Sequence, residues 1–213
     1  MVNQPSFVLL DFDGTLVNSE ALIRSAEVSL LQHFLPSAQI DELLSTSTHL
    51  SLTDFCQRLT EVSGITRAWE SDLRRSYDEI MSRELIPHDG VTEFVTALQG
   101  RRCIVTNSSR DDLIQKLSWA GLPPEWAVPS ITRDDVRHTK PSPEPYTAAL
   151  HLVGAAPGDV LAIEDSTPGI RAAQAAGVTV VGFSGGLENE NELSATGVRV
   201  FADWRALFAE FLA

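Results

Sequence analysis

The chain has 213 residues, 29 of them acidic and 16 basic, for a net charge of −13. That balance repels nucleic acids and anionic membrane surfaces, so neither is expected as a partner. Apolar residues make up 43% and charged residues 21%, which excludes long disorder.

At roughly 150 residues per domain the length allows one or two domains. No run approaches the roughly 18 apolar residues of a membrane span, and the opening MVNQPSFVLLDFDG has no basic leader, so a cytoplasmic protein is expected. Cys56 and Cys103 fit no metal or redox spacing and read as reduced, mostly buried thiols.

Phe7–Leu10 is a short apolar run of the kind that forms a buried parallel strand. Helical patterns follow at 19–35, 52–63 and 68–84, with no convincing strand between them. Residues 17–86 therefore read as a small, all-helical domain inserted into a core made of 1–16 and 87–213. In the core, apolar runs at 103–105, 160–163 and 178–181, with a weaker one at 198–201, alternate with helical patterns. The helices at 91–98, 111–120, 143–153 and 168–176 are each followed by glycine within two residues, and two of them start with proline. Alternation of this kind predicts a Rossmann-like, doubly wound parallel α/β sheet. The acidic stretch Glu188–Glu192 reads as a solvated loop.

Polar residues gather where the predicted strands end, and open parallel sheets bind ligands there. Asp11 and Asp13 form the chain's single Asp-x-Asp, followed by Gly14. Two carboxylates on one side of a strand end repel each other, which a divalent cation or a retained proton relieves. A solvated turn is the plain alternative. Thr106, Asn107 and Ser108 lie before a helix, where free N–H groups attract phosphate, though an ordinary N-cap would use the same residues. Lys140 precedes Pro141, which biases it to an extended backbone and suits pairing with a buried anion. Glu164 and Asp165 end the most apolar strand, where unpaired acids are costly.

Taken together, DFDGTLVNSE, VTNSS, KPSPEPY and IEDSTPGI resemble, in order and spacing, the four motifs of the haloacid dehalogenase-like phosphatase superfamily. The helical insertion looks like the small cap of the β-phosphoglucomutase and phosphoglycolate phosphatase branch. This resemblance implies Asp11 as nucleophile, Asp13 as general acid and base, and Lys140 as the cation beside them. It also implies Mg²⁺ held by Asp11, Asp165 and the Asp13 carbonyl, with Glu164 behind or through water. Thr106, Asn107 and Ser108 would hold phosphoryl oxygens. In the cap, Ser47, Thr48 and His49 are candidate substrate contacts. The implied activity is hydrolysis of a small phosphorylated metabolite, a sugar phosphate being one candidate, and Val17–Asn18 with 87–90 are the natural hinges. A phosphosugar mutase is the alternative. The stretch 44–52 lacks the glycine and arginine usual in that branch. A binding or regulatory module without catalysis is the third reading. Oligomeric state is left open.

Overall fold

The computed structural model describes residues 4–47, 50 and 52–212. It divides into two compact units, residues 1–20 with 85–213 and residues 21–84.

The larger unit is built on six parallel strands: β1 (Phe7–Leu10), β2 (Arg102–Val105), β3 (Ser130–Ile131), β4 (Val160–Glu164), β5 (Thr179–Phe183) and β6 (Val200–Phe201). Their spatial order is β3-β2-β1-β4-β5-β6. The chain leaves β1 in opposite directions across the sheet, first to β2 and β3, later to β4. The crevice between the carboxyl ends of β1 and β4 is therefore the topological switch point.

Strand alternation sends Leu9, Cys103, Val105, Ala162 and Val180 to one face. There they pack with α7 (Glu144–Val153) and α8 (Thr167–Ala175), including Tyr146, Ala149, Ile170 and Ala173. On the opposite face, where Phe183 points, α5 (Val91–Ala97) and α10 (Trp204–Phe211) meet through an edge-on Phe94–Trp204 pair at 5.0 Å. Every residue of β1, β2 and β4 except Phe7 is buried, which is why these strands read as unbroken apolar runs.

Among the core elements, β3 and α10 escaped the sequence reading: β3 is only two residues long, and α10 carries polar residues among its apolar ones. The solvated loop expected over 188–192 is corrected. The acidic stretch includes α9 (Glu190–Ser194), capped by Asn189, whose side chain accepts from the backbone N–H groups of Asn191 and Glu192. Glu188 is 8% exposed, because its carboxylate takes the N–H and hydroxyl of Thr167 at the start of α8.

The smaller unit is all helical. It comprises α2 (Ser37–Ser45), α3 (Leu52–Ser63), α4 (Trp69–Glu84) and most of α1 (Ser19–Leu31). The single helix expected over 19–35 stops at Leu31, and Pro36 leads into α2. Proline suits a helix start and cannot continue the preceding helix. Leu31, Ile40, Leu43, Phe55, Leu59, Trp69 and Leu73 form this unit's core. Trp69 anchors it: its indole N–H donates to the Ile65 carbonyl at 3.1 Å, and Phe34 stacks edge-on at 5.2 Å. No helix among the described residues is long and apolar enough to cross a membrane.

Candidate active site

The site begins where β1 stops. The Asp11 N–H donates to the Ile163 carbonyl at 3.1 Å, so the β1–β4 ladder runs one residue past the strand. With Leu10 opposite Ile163, that extension sets Asp11 beside Glu164. Gly14 then turns the chain at φ 76°, a conformation that glycine adopts without strain. A Cβ there would lie 2.0 Å from the Asp165 Oδ2, and one on Gly186 would lie 1.8 Å from the same atom. Both glycines therefore make room for a carboxylate.

Lys140 lies in the 139–142 turn, where the Ser142 N–H meets the Thr139 carbonyl at 2.9 Å. Its peptide to Pro141 is cis. The ammonium is 4% exposed and donates to Asp11 Oδ1 at 2.6 Å, Glu164 Oε1 at 2.5 Å and the Val105 carbonyl at 2.6 Å. All three of its donors are used. Burial opposes its charge, yet the carboxylates of Asp11 and Glu164 outweigh that and hold it above the ordinary lysine range. Asn107 fixes the turn itself: Lys140 N–H donates to its Oδ1 at 3.0 Å, and its amide donates to the Lys140 carbonyl at 3.3 Å.

The acids outnumber the amine. Asp11, Glu164 and Asp165 are all buried, and each offers an oxygen within 4.8 Å of the others. Glu164 Oε1 also receives the hydroxyl of the fully buried Tyr146. Burial first, then the Asp11 carboxylate, pushes Glu164 up to about 7 even against Lys140. Asp165 is raised well above the carboxylate range by burial and by the charges of Asp11 and Glu164. Its Oδ1 takes a long bond from the Thr15 hydroxyl, 3.3 Å. Asp11 is likewise raised by burial, although Lys140 pulls the other way. Its second oxygen, Oδ2, is buried and has no partner. An all-oxygen cluster of three buried acids against one amine suits a hard divalent cation.

Asp13 sits differently. Its Oδ1 is 2.6 Å from the ammonium of Lys116, on α6 (Arg110–Trp119), and its Oδ2 accepts from the Ser108 hydroxyl at 2.7 Å. Burial opposes ionisation here, but Lys116 and Ser108 lower the Asp13 pKa below its ordinary value. Sequence reasoning missed Lys116. It lies in the last turn of α6, outside every motif, and its spacing of seven from the N-cap Ser109 was the available signal, since that places it on the cap's face of the helix.

Of the residues expected at the site, the structure brings together Asp11, Asp13, Lys140, Glu164 and Asp165 with Thr106, Asn107 and Ser108. Thr106 is buried and accepts the Ser108 N–H at 3.0 Å. Ser47 belongs to the helical unit, where its hydroxyl is buried and unpartnered. Thr48 and His49 lie outside the described residues. His88, read as structural, donates through its Nε2–H to the Gly14 carbonyl at 3.1 Å and packs on Phe183 at 5.1 Å.

The family model of haloacid dehalogenase-like hydrolases matches residues 8–183. The chain belongs to that family. Among its relatives, the pyrophosphatase PpaX of Bacillus cereus is 30% identical over 191 residues, 88% of this chain and 87% of that protein. A haloacid dehalogenase-like protein from Agrobacterium tumefaciens superposes with a TM-score of 0.82 at 26% identity, covering 96% of each chain. A family hydrolase from Deinococcus radiodurans, solved with bound phosphate and sodium, superposes at 0.81 and 28% identity over 97% of this chain and 95% of that one. The haloacid dehalogenase-like assignment accounts for the acidic cluster at the β1–β4 switch point and for the helical unit that interrupts the core after β1.

Proposed function

We propose that this family member is an Mg²⁺-dependent phosphomonoester hydrolase, acting in the cytoplasm on a small phosphorylated metabolite through a phosphorylated Asp11. The observation that carries the reading is the pair of fates of the Asp11 carboxylate. One oxygen is pinned by Lys140, and the other is buried and unspent. A carboxylate held by one oxygen presents the other in a fixed direction, which is what a nucleophile needs.

Asp11 Oδ2 attacks phosphorus while the bond to the leaving oxygen breaks, and Asp13 gives that oxygen a proton. Water then attacks the aspartyl-phosphate as Asp13 takes its proton back, and the Asp11–phosphorus linkage opens. The Lys116 pair suits the second half, where Asp13 must be ionised. An entering dianionic phosphate opposes that depression and suits the first. Lys140 holds Asp11 in place, and Asn107 holds Lys140.

Asp11 and Asp165, with the Asp13 carbonyl, would hold Mg²⁺, and Glu164 backs the cluster. Bound there, it would supply positive charge against the transferring phosphoryl group. The phosphate in the Deinococcus relative supports an anion of this type as ligand.

The test is release of phosphate from p-nitrophenyl phosphate and a panel of phosphorylated metabolites at fixed Mg²⁺. Activity should vanish in EDTA and fall at least about 10³-fold in Asp11→Asn. Full activity in Asp11→Asn sinks the covalent scheme. Conversion of a hexose 1-phosphate to the 6-phosphate with little free phosphate identifies a mutase instead.

A further inference from the structure

We propose that Lys116 is a positioning residue for the proton-transferring carboxylate of Asp13, an inference that rests on the role given to Asp13 above. Three groups close a ring. Lys116 Nζ is 2.6 Å from Asp13 Oδ1 and 3.1 Å from the Ser108 oxygen, and that hydroxyl is 2.7 Å from Asp13 Oδ2. The lysine and aspartate side chains are 13% and 17% exposed, so this is not a solvated surface pair. Both carboxylate oxygens are engaged from one side, which fixes the plane of the carboxyl group as well as its location.

The need for such a clamp follows from the turn. Asp11 and Asp13 are two residues apart at one strand end, and each carries charge that disfavours the other. Asp11 has Lys140 as its counter-charge. Without Lys116, Asp13 loses its counter-charge and the anchor on Oδ1, and the neutral Ser108 hydroxyl on Oδ2 alone lets the carboxyl rotate away from the bond it must protonate. The ammonium pulls from the α6 side and holds the second acid near the first. To donate, Asp13 releases one of its two anchors and keeps the other, so it pivots instead of wandering. A proton-transfer group held within hydrogen-bond reach of its target contributes a large share of the rate.

Leaving-group dependence separates this role from a merely structural one. An aryl oxygen leaves with little help from an acid, whereas an alkyl oxygen needs its proton. Kinetics with Mg²⁺ would compare p-nitrophenyl phosphate with glycerol 2-phosphate in wild type, Lys116→Met, Lys116→Arg and Ser108→Ala. Lys116→Met should lose about 30-fold in kcat on the alkyl ester and about 3-fold on the aryl ester, with KM little changed. Lys116→Arg should recover most of the difference, and Ser108→Ala should show the same bias more weakly. Equal losses on both esters in Lys116→Met overturn the inference. If circular dichroism shows that variant unfolded, equal losses in Ser108→Ala overturn it. Wild-type enzyme active on aryl esters alone also overturns it, since no proton delivery then limits turnover. Wild-type protein inert on both esters overturns the hydrolase reading, and this one with it.

Discussion

Lys140→Met is the sharpest perturbation of the site. Methionine keeps the length and apolar stem but removes the ammonium that faces Asp11, Glu164 and the Val105 carbonyl. With Glu164 fully buried and Asp11 only 7% exposed, the loss leaves two adjacent acids without their shared cation. Breaking a buried ion pair from one side costs about 3–5 kcal/mol. For a protein of this size, about 2–4 °C per kcal/mol puts the melting temperature roughly 6–20 °C lower. The companion change is Glu164→Gln, which keeps the shape and removes one negative charge. In the Lys140→Met background it should restore about 1–3 kcal/mol, whereas in wild type, where Lys140 still pairs with Asp11, it should be neutral or destabilising. Thermal unfolding of the four proteins in EDTA at pH 7.5 closes the cycle. A Lys140→Met cost below about 1 kcal/mol, or an effect of Glu164→Gln that is the same in both backgrounds within about 0.5 kcal/mol, refutes the reasoning.

Other consequences are more local. Gly186→Ala places a methyl against Asp165 Oδ2, so the Mg²⁺ concentration for half-maximal activity should rise about 10–100-fold, and an unchanged Mg²⁺ titration counts against Asp165 as a ligand. Asn107→Ala removes both side-chain bonds to the Lys140 backbone, and kcat should fall about 10-fold with the melting temperature down by only a few degrees. In the helical unit, burial raises the Glu27 pKa despite Arg24 and the Tyr77 hydroxyl. A raised folded value gives stability that is full below the unfolded pKa and is lost as pH rises through the folded one. Glu27→Gln should therefore melt higher than wild type at pH 7.5, and the gain should shrink below about pH 4.5; a gain independent of pH contradicts burial as the cause.

The long strands and most helices of the core were legible because burial on both faces keeps the strand interiors apolar, with Arg102 and Glu164 only at strand ends, and because glycine closes the helices at 100, 121, 154 and 177. β3 was not, since two paired residues, Ser130 and Ile131, carry no period. α2 was hidden by the short run Ser37–Ser45, in which Ile40, Leu43 and Leu44 supply all the buried contacts. α9 was misread because Glu188 and the residues after it look solvated in a row. In three dimensions Glu188 caps α8 and Asn189 caps α9, so acidity there is helix-capping chemistry.

The site was legible to a different depth. Asp11, Glu164 and Asp165 are announced by strand ends, because charged groups there must find partners or cost the fold dearly, and Lys140 by the proline that follows it. What the chain order hides is how the charges are apportioned. Lys140 serves Asp11 and Glu164 together, leaving Asp165 with a threonine hydroxyl, while Asp13 takes a lysine from a different helix. One amine against three buried acids leaves the inner cluster short of positive charge, whereas the outer acid is balanced by its own lysine. In the mechanism proposed above, the cation would belong with Asp11 and Asp165 and the proton with the Asp13 side chain, two tasks divided across a turn of three residues. Lys116, the counter-charge on the Asp13 side of that division, lies in none of the sequence motifs.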